Sequence, residues 1–226
     1  MTEEEWLACT DPKPMLEFLR AKKASHRKLR LFAVACCRRF RHLLVPEACE
    51  ALEVAEKVAE GLVGSEERRR VREMAFQVGW VRDPSTAHRR GPAKAAVCDS
   101  LARRAWEAAA LTAWRTSKIG AMEAIHSFGG DWSAAKEGQD VLLAECLRCF
   151  FGNPLRPITL DPAWLTPKVK TLTQAIYDDR AFERMPELAD ALAEASCSNQ
   201  DILSHCRGPG PHVRGCWVVD LVLGKE

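Results

Sequence analysis

A chain of 226 residues, 47% apolar and 28% charged with a net charge of +2, can bury a core and is too apolar to be disordered. No apolar run approaches the ~20 residues of a membrane span, and "MTEEEWLACTDPKPML" opens on glutamates where a secretion signal carries basic residues. A cytoplasmic protein with no membrane partner is therefore expected, although its charge is uneven: +7 over residues 1–120 and −5 over 121–226.

In chain order, Thr10-Asp11 before Pro12 is a helix cap with proline in the first turn, continued by "MLEFLR". From Ser25 to Leu44, the positions Leu29, Phe32, Ala33, Cys36, Cys37, Phe40, Leu43 and Leu44 follow the i, i+3, i+4, i+7 series of an amphipathic helix. Pro46 ends that helix and can begin the next, "PEACEALEVAEKVAEGL", and Ser65-Glu66-Glu67 opens a very basic one. Residues 82–95, "RDPSTAHRRGPAKA", are aperiodic with two prolines and are expected to form an exposed loop. Helix resumes in "AAVCDSLARRAWEAAALTAW", turns at Gly129-Gly130-Asp131, and returns in "EGQDVLLAECLRCFF".

Prolines at 154, 157, 162 and 167 forbid a continuous helix in "GNPLRPITLDPAWLTP". Its Leu155, Ile158, Leu160, Trp164 and Leu165 are too apolar for a free linker, so an ordered extended strap is expected. "KVKTLTQAIYDD" and "MPELADALAEAS" follow as helices, and "CWVVDLVL" is either a buried strand or a last helix capped by Gly224. The pattern predicts an all-α fold: an irregular multi-helix bundle with a proline-rich strap and a C-terminal core helix. It would form one domain over 1–226, or lobes 1–130 and 131–226.

Two groups of residues invite a functional reading. Arg27, Lys28, Arg30, Arg38, Arg39 and Arg41 fall opposite the Phe32/Cys36/Phe40 stripe, a face that could neutralise phosphates. Base-stacking aromatics are missing from it, and the alternative is a face solvated or paired with nearby acidic helices. In the tail, Cys197, His205, Cys206, His212 and Cys216 are zinc-type ligands. Adjacent His205 and Cys206 would point about 100° apart on a helix, and the C-x-x-C knuckle of structural zinc is absent from the tail. The expectation is therefore no bound metal, with zinc as the minority reading.

The tail reads instead as a clasp: a proline-stiffened loop feeding a helix that inserts Trp217 and Leu221 between neighbouring helices. Asp220, if buried, would need a partner, and Arg207, His212 and Arg214 are nearest in sequence. Ten cysteines without an export signal read as reduced core residues. Cys146 and Cys149 match C-x-x-C, but they lie late in a predicted helix beside Leu142, Leu143 and Phe150, which favours burial over redox chemistry. Hydrolase, metalloprotease and P-loop signatures are absent.

The blocks "MTEEEWLACTDPKPMLEFLR", "KLRLFAVACCRRF", "FGNPLRPITLDPAWLTP", "AIYDDRAFERMPELADALAEA" and "HCRGPGPHVRGCWVVDLVLGKE" resemble a family of planctomycete-type bacterial proteins. They cover both ends and roughly half of the chain. The resemblance implies a bacterial, cytoplasmic protein and transfers no activity, cofactor or site residue. The expected function is a non-catalytic interaction or regulatory module with another protein as partner. The alternatives are a nucleic-acid-associated protein using the basic helix 20–41, and an enzyme or zinc protein centred on residues 197–217.

Overall fold

Side-chain caps and prolines in the first turn start most of the helices, and they stand where the sequence signals them. A computed structural model describes residues 1–77 and 84–225, with the backbone alone for 84–90. After α1 (Glu3–Ala8), the Asp11 carboxylate accepts from the Lys13 N–H at 2.8 Å and opens α2 (Pro12–Ala21). Ser25 caps α3 (His26–Arg38), which tightens into a 3-10 turn at Arg41–Leu43, and Pro46 begins α4 (Pro46–Ala59). α5 (Ser65–Gln77) is the basic helix expected after Ser65.

The predicted loop over 82–95 is corrected: α6 (Pro84–Ser100) is a helix from Pro84 onward, with Pro92 inside it. Residues 82 and 83 lie outside the described residues. Ala93, Ala96 and Val97 are buried with Val34, Leu52 and Ile119, and this packing overrides the weak local propensity. The helix predicted through "AAVCDSLARRAWEAAALTAW" is broken at residues 101–104, between α6 and α7 (Ala105–Phe128). Gly129 closes α7 at a φ of 70°, and α8 (Trp132–Phe151) follows.

The strap is present. Residues 152–166 run irregularly apart from a 3-10 turn at Pro162–Trp164, and Ile158, Leu160, Trp164 and Leu165 pack half-buried against a core. That core comes from α9 (Pro167–Asp179), α10 (Met185–Glu194), α11 (Gln200–Arg207) and α12 (Trp217–Leu223). The strand alternative for "CWVVDLVL" is settled as helix, closed by Gly224 at a φ of 65°. No strand occurs among the described residues, and no helix among them is long and apolar enough to cross a membrane. The fold is all-α.

The chain divides into two compact units, with the division falling inside α8. One comprises Met1 with Ala8–Ala144, the other Thr2–Leu7 with Glu145–Glu226.

Within the first unit, α3 meets α4 through charge as well as apolar surface. Arg27 pairs with Glu60 at 3.1 Å, Arg38 with Glu53 at 3.0 Å and Glu56 at 2.5 Å, and Arg41 with Glu53 at 3.5 Å. Much of the basic face proposed for phosphates is thus turned toward acids. Burial works against the Arg38 charge, but the two carboxylates outweigh it and raise its proton affinity. Arg38→Glu would set a third carboxylate against the buried Glu56, and should lower unfolding free energy by about 2–4 kcal/mol. Urea denaturation checks this. A change within a few tenths of a kcal/mol would show the network to be a solvated surface feature.

Candidate metal centre

The core of the C-terminal unit is apolar and closely packed: Val169, Ile176, Leu188, Leu192, Ile202, Val218 and Val219 are fully inaccessible. Buried cysteine packs there as a small hydrophobe, which accounts for Cys197 and Cys206. It does not account for what surrounds Cys149 and Cys216. Cys149 sits on the last turn of α8, His205 on α11, His212 in the loop between α11 and α12, and Cys216 at the N-cap of α12. One donor atom from each of these four lies within 4.8 Å of every other.

The donors are aimed by their own contacts. His205 Nε2 is 3.1 Å from Cys216 Sγ. His212 donates Nε2–H to the Gly208 carbonyl at 3.2 Å, which leaves its Nδ1 buried without a hydrogen-bond partner among the described residues. A ring whose far nitrogen is tied to a backbone carbonyl while the near one stands unpaired is how metal-bound histidines are held. The two imidazoles meet edge to face, with centroids 4.8 Å apart at 83°, and the Trp217 ring lies 5.4 Å from His205.

Glycines let the chain pass this close. Gly210 has a φ of 92°, and a side chain there would meet the His212 backbone nitrogen at 2.8 Å. Gly152, at a φ of 57°, lies under the Trp217 ring, and an added Cβ would be 3.2 Å from it. The Gly152 carbonyl accepts from Trp6 Nε1 at 2.9 Å, so the strap begins from a tethered position. Arg214 donates to the Tyr177 carbonyl at 2.8 Å and stacks on the Tyr177 ring, fixing the loop onto α9.

Electrostatics separate the two thiols. Burial opposes ionisation of Cys216, yet the Cys149 thiol, the His205 ring and the nearby His212 ring outweigh burial and hold this thiol well below its ordinary range. The hydrogen bond to Cys216, with burial behind it, pushes Cys149 well above that range. A divalent cation between them would let both sulfurs ionise. Two thiolates and two neutral imidazoles would then carry a charge of −2, which a divalent ion would cancel between two buried sulfurs and two half-buried rings. Tetrahedral zinc with such ligands has donor–donor edges of about 3.3–3.8 Å, so the widest separation would have to close by roughly an ångström to hold it.

The structure therefore unites His205, His212 and Cys216 from the five tail residues singled out in the sequence. Cys197 and Cys206 stay in the core outside this set, and His205 and Cys206 diverge as adjacent helical residues must. Cys149 is the donor that reading the tail alone misses. Its one legible signal was the C-x-x-C with Cys146, which had suggested core burial. Cys149 is indeed buried, but it also closes the set.

The clasp is corrected in one respect. α12 inserts Val218, Val219 and Val222, while Trp217 and Leu221 lie half-buried on its flank. Asp220 is buried at 1% exposure. Comparison with known proteins gives no match to a family model, a curated protein or a solved structure.

Gly152→Ala should lower thermal stability by about 1–3 kcal/mol, because left-handed strain adds to the collision with Trp217. Gly61→Ala is the control, since Gly61 has a φ of 72° but open space around it. Equal losses in the two variants would show that the Trp217 contact contributes nothing.

Proposed function

We propose that this chain is a non-catalytic helical interaction module whose C-terminal unit is stapled by one zinc ion held by Cys149, His205, His212 and Cys216. The observation that carries the reading is the convergence of four donors, two buried and two half-buried, from α8, α11, a loop and α12 to within 4.8 Å of one another. Sulfur and imidazole donors select zinc over magnesium or calcium. Four protein ligands fill a tetrahedral sphere and leave no position for substrate, which favours a structural over a catalytic ion. The tail by itself lacks a zinc spacing, and here the fourth ligand comes from the helix that precedes the strap. A protein partner is favoured by the exposed apolar Leu111 and Trp114, one turn apart on α7.

Elemental analysis of protein expressed with added zinc and purified without chelator should find about one zinc per chain. Excess chelator should lower the thermal midpoint, since zinc at a thousandfold excess over its Kd stabilises by about 4 kcal/mol. Cys149→Ser and His212→Ala should each lose the metal, whereas Cys197→Ser should keep it. Absence of zinc together with a midpoint indifferent to chelator would sink the proposal.

A further inference from the structure

Two groups of arginines in the N-terminal unit differ in what holds them. Arg27, Arg38, Arg41, Arg70, Arg104 and Arg115 each have a carboxylate partner. Arg30, Arg68 and Arg72 instead hold backbone carbonyls. Arg30 donates to the carbonyls of Ala102 at 3.0 Å and Arg103 at 2.7 Å, Arg68 to Leu101 at 2.6 Å, and Arg72 to Cys98 at 3.1 Å. All four acceptors lie at or just beyond the C-terminal end of α6, where helix geometry leaves carbonyls unsatisfied. The exposed side chain of Arg103 stands on the same turn.

A helix C-terminus carries only about half a negative charge, against four guanidiniums. Among the described residues, no carboxylate makes an ion pair with any of the four. Burial lowers the proton affinity of Arg30 and Arg68, and the neighbouring guanidiniums lower it further: Arg68 acts on Arg30, and Arg72 and Arg103 act on Arg68. The carbonyls thus hold the cations in place without cancelling their charge. Arg30 and Arg68 are half-buried while Arg72 and Arg103 are exposed, so the cluster has a fixed base and an open side. Planar guanidiniums held in this way match the oxygens of phosphate.

We propose that Arg30, Arg68, Arg72 and Arg103 form a binding site for a ligand carrying adjacent phosphates. Of the six basic residues marked in the sequence, only Arg30 belongs to this site, and α5 and the turn after α6 supply the others. The shared chemistry is the phosphate group, whether on a nucleotide or along a nucleic-acid backbone.

The test is calorimetric titration of the full chain at low ionic strength with inorganic phosphate and inorganic tripolyphosphate. Tripolyphosphate should bind more tightly than phosphate, and Arg72→Gln with Arg103→Gln should weaken it by about tenfold or more. Arg103→Gln alone guards against misfolding, because that side chain makes no hydrogen bond within the described fold, and it should also weaken binding. Lys13→Gln, on the exposed start of α2, should leave binding unchanged. No binding to the wild-type chain overturns the site, as does equal affinity in the Arg103→Gln variant. A single-stranded thymidine oligonucleotide and ATP then separate the two sources, the tighter binder naming the ligand. Failure of both overturns the assignment to phosphate esters.

Discussion

Two buried thiols and two half-buried imidazoles give up water against an apolar core only if their polar atoms answer one another, and this constraint organises the C-terminal unit. The Cys149, His205, His212 and Cys216 donors lie among side chains such as Val218 and Val219 that offer them nothing. Three of them are held in place by a contact or by their position on a helix. Gly208 fixes the His212 ring, the N-cap position fixes Cys216, and the last turn of α8 fixes Cys149. Glycine at 210 and 152 is the geometric consequence, since the backbone and the Trp217 ring approach more closely than a Cβ permits. The strap is drawn into the same arrangement, because it leaves α8 at Gly152, whose carbonyl is held by Trp6.

In the N-terminal unit the governing term is charge. The surplus of basic residues over 1–120 looks like one property in the sequence and becomes two in space. On the α3–α4 contact, Arg38 is neutralised by Glu53 and Glu56, and part of its worth is that Glu56 is buried. At the end of α6, Arg30, Arg68 and Arg72 are oriented by carbonyls that bear only partial charge. Positive potential is thus spent on packing in the first place and retained in the second. Helix periodicity alone cannot separate the two, because the acids that quench α3 come from a different helix.

Most of the helices were legible, and so was the strap, because caps, prolines and apolar spacing act within a few residues of where they appear. Asp11 before Pro12, Ser25 before α3 and Gly224 after α12 each did locally what their chemistry dictates. The misreading of α6 has the opposite origin. Two prolines and a glycine over residues 84–92 argue for a loop, but Ala93, Ala96 and Val97 gain enough by burial against α3, α4 and α7 to hold the helix. α11 went unmarked because its eight residues carry too short a period, although Asn199 caps it.

The sequence by itself determined that the chain is helical, where its strap runs, and that its tail holds reactive residue types in a constrained loop. All of these follow from short-range sterics and periodicity. Only the tertiary structure decided which of those residues share a site. Cys149 and His205 are separated by the whole of the strap, α9 and α10, and no local rule relates them. The same holds for Arg30 and Arg68, which meet only because α3 and α5 both reach the carbonyls just past the end of α6. A site assembled across long loops is fixed by packing free energy summed over the entire core, and that sum has no signature in any single stretch of the chain.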